Sequence, residues 1–437
     1  MKPVKIGIIG LGTVGCGTLT VLRRNSQEIS RRAGREIEVA MCAVNDLNKS
    51  RDPIVDTVAL TDDPGRILES ADIDIVVELI GGVEPAHDYV TQALRNGKHV
   101  VTANKELLAV RGKELFQTAQ NQSLVIAFEA AVGGGISIIK AIREGLAGNR
   151  IESLIGIING TSNYILTGMK EKHCSFNEML DDAQRLGYAE ADPTFDVSGI
   201  DAVHKLIILA SIAFGVPLQE IRDVHRIGIE SITYDDIAYA DELGFSIKPL
   251  AIAKRGENGV ETRVHPALVS NRRLIANVNG VMNAILVTGD AVGRTLFYGA
   301  GAGAEPTASA VVADLVDVVR VMTSDPENRV PHLAFQPNSI TPLPMLSIDD
   351  FSTANYLRLT VDNQAGVLAE VTRILGDQGI SIESILQKGT GAHEDVLPVV
   401  IITQETVESN MLRAIAQLES LESVRESITR IRIESLA

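Results

Sequence analysis

The sequence predicts an α/β protein in three parts: a parallel-sheet domain, an α+β domain, and a small C-terminal module of βαββαβ order. Three observations predict it. As far as Phe128, short β-branched runs alternate with segments of helical spacing, the pattern of a parallel sheet with crossover helices. After Phe128, longer helical stretches and separate strand-like runs replace that alternation. Beyond a proline cluster, six short elements follow one another as strand, helix, two strands, helix and strand. At roughly 150 residues per domain, 437 residues accommodate this partition.

In chain order, candidate strands lie at 4–10, 37–45, 74–79, 99–102 and 124–128, with helical spacing at 89–96 and 106–121 between them. Gly97 stops the first of these helices ahead of the next strand. A long helix is expected at 136–146, then a strand at 154–158. Ser175 with Glu178 three residues on is a capping box that opens a helix closed near Gly187. Another helix runs over 200–214, stopped by Gly215 and Pro217. The stretch 250–297 mixes strand-like runs with polar turns, and Pro306 opens a helix through Ala313, Leu315 and Val319. Helix 305–322 is expected to return to the first domain. The domains are thus read as 1–130, 131–304 and 350–437, with prolines between 331 and 344 marking a linker over 331–349.

Composition narrows the function. Hydrophobic residues make up 45% and charged residues 22%, which is ordinary globular composition. A net charge of −16 argues against nucleic acid or an anionic membrane surface as partner, since both attract positive charge. Cys16, Cys42 and Cys174 are too far apart in sequence to form a CxxC pair. No apolar run reaches the roughly 18 residues of a membrane span. The start, MKPVKIGIIGLG, lacks the layout of a secretory signal, so a cytoplasmic location is expected.

The first strand candidate runs straight into Gly10, Leu11, Gly12, Thr13, Val14 and Gly15, a G-x-G-x-x-G turn that opens a helix. The first glycine permits the tight turn, the second lets a pyrophosphate approach the backbone, and the third packs helix on sheet. The helix N-terminus then offers its free N–H groups to phosphate. This is a Rossmann-type dinucleotide-binding domain. Asn45 and Asp46 end the second strand, with Lys49 and Arg51 behind them. Asp46 suits a ribose hydroxyl and NAD; Lys49 or Arg51 suits a 2′-phosphate and NADP. Cofactor preference stays open.

The densest chemical signal is GYAEADPTFDVSGIDAVHKL (187–206), which sets Glu190, Asp192, Asp196, Asp201 and Lys205 within sixteen residues. Asp201 and Lys205 are four apart on one helix face, the spacing of an ordinary ion pair. Three further acids precede them in a turn broken by Pro193, crowding carboxylates near the ammonium. A lysine so placed can hold or release a proton at a reacting oxygen.

Together these motifs resemble homoserine dehydrogenases of the long bacterial type. GLGTVG, TANKE (102–106), EAAVGGGI (129–136), NGTSNYIL (159–166), the 187–206 block and GAGAEPTASAVVADL (301–315) match in the family's order, across essentially the whole chain. The resemblance implies interconversion of L-homoserine and L-aspartate 4-semialdehyde with NAD or NADP. It implies Lys205 and Lys105 as the acid/base lysines, and Glu190, Asp201 and Asp196 as the acids around the substrate. Thr102, Lys105 and Gly303 join the glycine turn and Asn45 on the cofactor side. Glu129, with the carbonyls of Val132, Gly134 and Ile136, corresponds to a sodium site joining the catalytic domains. Asparagine at 45, where the family often carries arginine, points to acceptance of NAD. For acid/base work, both lysines are expected to have pKa values lowered toward neutrality.

The segment from Tyr356 to Ile374, followed by Ser381–Ile385 as SIESI, resembles an ACT domain. The resemblance places a small amino acid, by expectation L-threonine, at the loop of Asp362, Asn363 and Gly366. The following helix N-terminus would face its carboxylate, and Asp362 its ammonium. The expected assembly is a homo-oligomer, dimer or tetramer.

Overall fold

The computed structural model describes residues 2–388 and 395–436. Six parallel strands form the first sheet, in the order Leu60–Thr61, Ile37–Ala43, Val4–Ile9, Ile75–Glu78, His99–Thr102, Ile126–Ala127. Ile6, Ile8, Ile75 and Val77 are fully buried, as expected for strands covered by helices on both faces. The first strand ends at Ile9 because Gly10 turns with φ 102°. The second ends at Ala43, two residues short of Asn45. The helix Lys105–Asn121 starts where the Asn104 side chain accepts the Leu107 amide.

After the second domain the chain does come back. The helix Ala304–Val321 packs along Thr13–Arg24, and a Cβ on Gly17 would stand only 2.5 Å from the Ala304 carbonyl oxygen.

The second sheet has 11 strands. Along its main path lie Gly293–Ala300, Met282–Gly289, Ile151–Ile157, Phe245–Arg255, Val260–Ser270, Thr429–Glu434, Ser352–Asp362, Val396–Thr403 and Ile382–Gln387. The C-terminal module therefore shares a sheet with the second domain, through parallel pairing of Ala267–Val269 with Arg432–Glu434. Its strands and its helices Val367–Asp377 and Glu408–Glu419 keep the expected βαββαβ order. The proline-rich stretch read as a linker is a packed strap. Val260 donates to the Pro344 carbonyl, Leu346 donates to the Val260 carbonyl, and Ile340, Leu343 and Met345 pack on the main core.

Two helical readings change. The single helix expected at 136–146 becomes a short α turn, Ile138–Lys140, running into a π-helical stretch, Ala141–Gly145. The helix Gly160–Lys172 was not anticipated; it opens on weak helix formers and buries Thr161, Ser162, Asn163, Ile165 and Leu166, so it shows no clean apolar stripe.

Replacing Gly17 with Ala sets a methyl group against the Ala304 carbonyl and must push the two helices apart. Thermal unfolding of Gly17→Ala should show a loss of about 1–3 kcal/mol, the usual cost of overpacking; unchanged stability would mean this contact is loose.

Candidate active site

The glycine turn lies at the carboxyl ends of the parallel strands. Gly10 donates to the Ala43 carbonyl at 3.0 Å. A Cβ on Gly15 would fall 2.2 Å from the Gly10 oxygen, so the turn closes only over a glycine. A Cβ on Gly12 would meet nothing within 4 Å; that side is open. Leu11 is buried, Val14 half-buried, and Thr13 exposed. The first helical turn carries no acid and no capping side chain, which leaves its amides for an anion. Gly303, φ 127°, precedes the helix that packs on this one. Asn45 and Asp46 are exposed past the second strand, and Asp46 accepts the Asn48 amide at 2.8 Å.

Thr102 does not present a free hydroxyl. It donates to Glu78 Oε2 at 2.6 Å and accepts the Asn104 amide. Glu78, wholly buried, also accepts the amides of Ile80 and Gly81, and Asn104 Nδ2 donates to the Gly82 carbonyl. Burial pushes Glu78 up, against its hydrogen bonds. Glu78 and Asn104 thus shape the loop 80–82 and start the helix that begins with Lys105.

Lys105 and Lys205 meet at Asp201. Lys205 Nζ lies 2.6 Å from Asp201 Oδ2 and donates to the Ile158 carbonyl at 2.8 Å. Lys105 Nζ lies 3.2 Å from Asp201 Oδ1 and 5.6 Å from the centre of the Phe195 ring. Asn159, the N-cap of Gly160–Lys172, donates through one amide nitrogen to Asp196 at 2.8 Å and Asp201 at 2.9 Å. Burial would raise Asp201, but the two ammoniums outweigh it and hold it at about 2. Burial pulls Lys105 down, but Asp201 more than compensates, so its pKa is raised. That corrects the expected lowering for Lys105: Asp201 locks in its charge. Burial raises Asp196, with the Asn159 hydrogen bond opposing and Asp201 adding to the rise.

The structure thus brings together Lys105, Lys205, Asp201 and Asp196. Glu190 is not bonded to this cluster. Glu190 is exposed, and no hydrogen bond or ion pair to its carboxylate is found among the described residues. Sequence reasoning missed Asn159, Glu78 and Asn104. For Asn159 a signal existed: an Asn directly before a Gly-Thr-Ser helix start is a cap.

Glu129 is buried, and its oxygens accept the Ile139 and Lys140 amides at 2.9 and 2.8 Å. Its own amide donates to Asp314, whose carboxyl burial pushes up to about 7. The Ile136 carbonyl accepts the Ile138 amide, whereas no hydrogen bond to the Val132 or Gly134 carbonyl is found among the described residues. These oxygens are the hard donors a monovalent cation prefers. In the module, Gly366 (φ 99°) precedes the helix Val367–Asp377, and the Asn363 amide donates to the Asp395 carbonyl. Asp362, expected to meet a ligand's ammonium, is held by Arg425 in a two-pronged pair at 2.5 and 2.6 Å.

Comparison with known proteins decides the family. Residues 10–129 match the homoserine dehydrogenase NAD-binding domain, 138–316 homoserine dehydrogenase itself, and 355–420 the ACT domain. A homoserine dehydrogenase of Pseudomonas aeruginosa is 58% identical over the full length of both chains. The chain belongs to the homoserine dehydrogenase family. It is an oxidoreductase, and the α/β architecture with a C-terminal ACT domain is the family's. The crystal structure of a homoserine dehydrogenase from Thiobacillus denitrificans superposes with a TM-score of 0.95 at 56% identity, covering 100% of this chain and 99% of that one. A hyperthermophilic archaeal homoserine dehydrogenase in complex with NADPH covers 72% of this chain and 98% of its own, at 27% identity and a TM-score of 0.62. No helix among the described residues is long and apolar enough to cross a membrane.

Asn159→Ala, which removes the amide from Asp196 and Asp201, should cost about 1–3 kcal/mol of stability. Asn159→Asp sets a third carboxylate beside two and should cost more at pH 8. The new acid's folded pKa is raised, so its penalty is present above that pKa and fades as pH falls through it. Melting curves from pH 8 to pH 5 test this: a gap between the variants that fails to narrow would contradict the arrangement.

Proposed function

We propose that this chain interconverts L-homoserine and L-aspartate 4-semialdehyde, and that Lys205 moves the proton. The observation carrying this reading is the pair of ammoniums on one buried carboxylate, where the helix Lys105–Asn121 of the first domain meets Ile200–Phe214. A bound nicotinamide supplies the hydride acceptor. In oxidation, neutral Lys205 takes the hydroxyl proton as the carbinol hydrogen leaves with its electron pair; in reduction, the Lys205 ammonium returns that proton to the carbonyl oxygen. Lys105, kept charged by Asp201, stabilises negative charge building on the same oxygen. Asp201 is then a positioning residue for both lysines, and the exposed Glu190 carboxylate is left to grip the substrate ammonium, with Asp196 beside Asn159 shaping the pocket.

The same reading extends to the surroundings. Gly10, Gly12, Gly15 and Gly303 take the pyrophosphate, and exposed Asn45 faces the ribose and accepts NAD or NADP; the archaeal relative in complex with NADPH supports use of the phosphorylated form. A sodium ion fits Glu129 with the Val132, Gly134 and Ile136 carbonyls. L-threonine binding at the Asn363–Gly366 loop supplies feedback control in threonine and methionine biosynthesis, in a cytoplasmic homo-oligomer.

Lys205→Ala should lower kcat by roughly two to four powers of ten while leaving the Kd for cofactor unchanged. Wild-type turnover in Lys205→Ala would refute the assignment.

Asn45→Arg places a guanidinium beside the position proposed for a 2′-phosphate, where charge-assisted pairing is strong. The NADP/NAD ratio of kcat/KM should rise severalfold; an unchanged ratio would mean that residue 45 does not face the ribose.

A further inference from the structure

Away from the active site, two lysines, Lys98 and Lys248, are buried with no carboxylate in ion-pair distance among the described residues, and of the two Lys248 lines a cavity. Lys248, on the strand Phe245–Arg255, is 3% exposed. Its Nζ donates to the Val278 carbonyl at 2.7 Å and to Asn279 Oδ1 at 2.8 Å. Both acceptors are neutral. Buried Arg263 and Arg432 each have a carboxylate within ion-pair distance; for Lys248, as for Lys98, none is found among the described residues. Burial pulls its pKa down to about 8, with Lys170's like charge adding to the fall and Glu171 opposing it. Leaving a buried cation unpaired is costly, and an entering anion would relieve that cost.

There is room for one. Lys248 lines a cavity of about 300 Å³ with Lys170, Glu171, Asn277, Asn279 and Ile237. That volume is at the small end of ligand sites, which run from roughly 300 to 1,000 Å³. Lys170 already pairs with Asp241 at 2.5 Å, so Lys248 is the cation left to serve. Glu171 is exposed and supplies the opposite charge at the rim.

We propose that this cavity is a binding site for a small α-amino acid in its zwitterionic form, carboxylate on Lys248 and ammonium on Glu171. Ile237 belongs to the helix Tyr234–Glu242, and its neighbour Asp236, fully buried, accepts from Tyr356 at 3.1 Å and Arg358 at 2.7 Å in the regulatory module. An occupant therefore presses on the helix that holds the module, by a route separate from the Asn363–Gly366 loop. The protonated amine is the binding form. Lys170 and Glu171 on Gly160–Lys172 are the other charged groups lining the cavity, so affinity falls as pH rises through about 8.

Calorimetry on the full chain at pH 7 tests this independently of dehydrogenase activity, with glycine, L-alanine and L-serine as probes and acetate and inorganic phosphate as controls. The expected result is saturable binding of at least one amino acid. It should be weakened tenfold or more in both Lys248→Met and Glu171→Gln, and unchanged in Glu190→Gln and Gly366→Asp. Glu171 is exposed, so its variant folds even where Lys248→Met does not. Four outcomes overturn the proposal: no saturable heat from any amino acid, full affinity in either cavity variant, loss of binding in Glu190→Gln or Gly366→Asp, or tighter binding of acetate or phosphate than of the amino acids.

Discussion

Asp201 carries a full negative charge where water does not reach, and it stays charged because Lys205, Lys105 and Asn159 converge on it. Taking one partner from such a buried pair typically costs about 3–5 kcal/mol, because the remaining charge is stranded. The cluster is thus held together by the same groups that are proposed to carry its chemistry. Lys105 comes from the first helix after the strand His99–Thr102, and Lys205 from the buried helix of the second domain. Two folding units therefore share one electrostatic knot, which forms only when they are docked.

The same economy recurs at the junction with the regulatory module. Parallel pairing of Val260–Ser270 with Thr429–Glu434 brings Arg263 onto Glu434, while Glu408 holds Arg430 and Arg432, and Asp236 holds Arg358 and Tyr356. Burial works against Glu408, but its hydrogen bonds to both arginines keep it at about 2. Fixed charges on hydrogen-bonded strands resist sliding, so the module is joined to the second domain by a charged sheet seam as well as by the chain. The strap 331–349 adds a second anchor: the amide of Ile126, in the last strand of the first sheet, donates to His332.

Local chemistry made much of this legible. A glycine turn between strand and helix is readable because the constraint is steric and lies within six residues, and Gly15 against the Gly10 oxygen shows why. The capping box at Ser175 and Glu178 formed as read, for the same reason. The helix over residues 160–172 escaped because burial on most sides erases the periodicity that marks a surface helix. The helix 136–146 was overcalled because Glu129, ten residues earlier, caps the Ile139 and Lys140 amides and resets the helix start. The bond between the Thr102 hydroxyl and Glu78 was not legible either, because the two residues stand 24 positions apart on neighbouring strands.

By itself the sequence determined the strand–helix alternation of the first domain, the βαββαβ order of the module, the glycine turn, the helix face shared by Asp201 and Lys205, and the motif set that carries the family. Those features rest on steric and hydrogen-bonding rules acting over a few residues. Only the tertiary structure decided that Lys105 joins Lys205 on Asp201, that Asn159 holds two acids at once, that Arg425 occupies Asp362, and that the module continues the catalytic sheet. Each of these joins residues tens to hundreds of positions apart. A charge chooses its partner by distance and burial in the folded chain, and neither is set until the chain has folded.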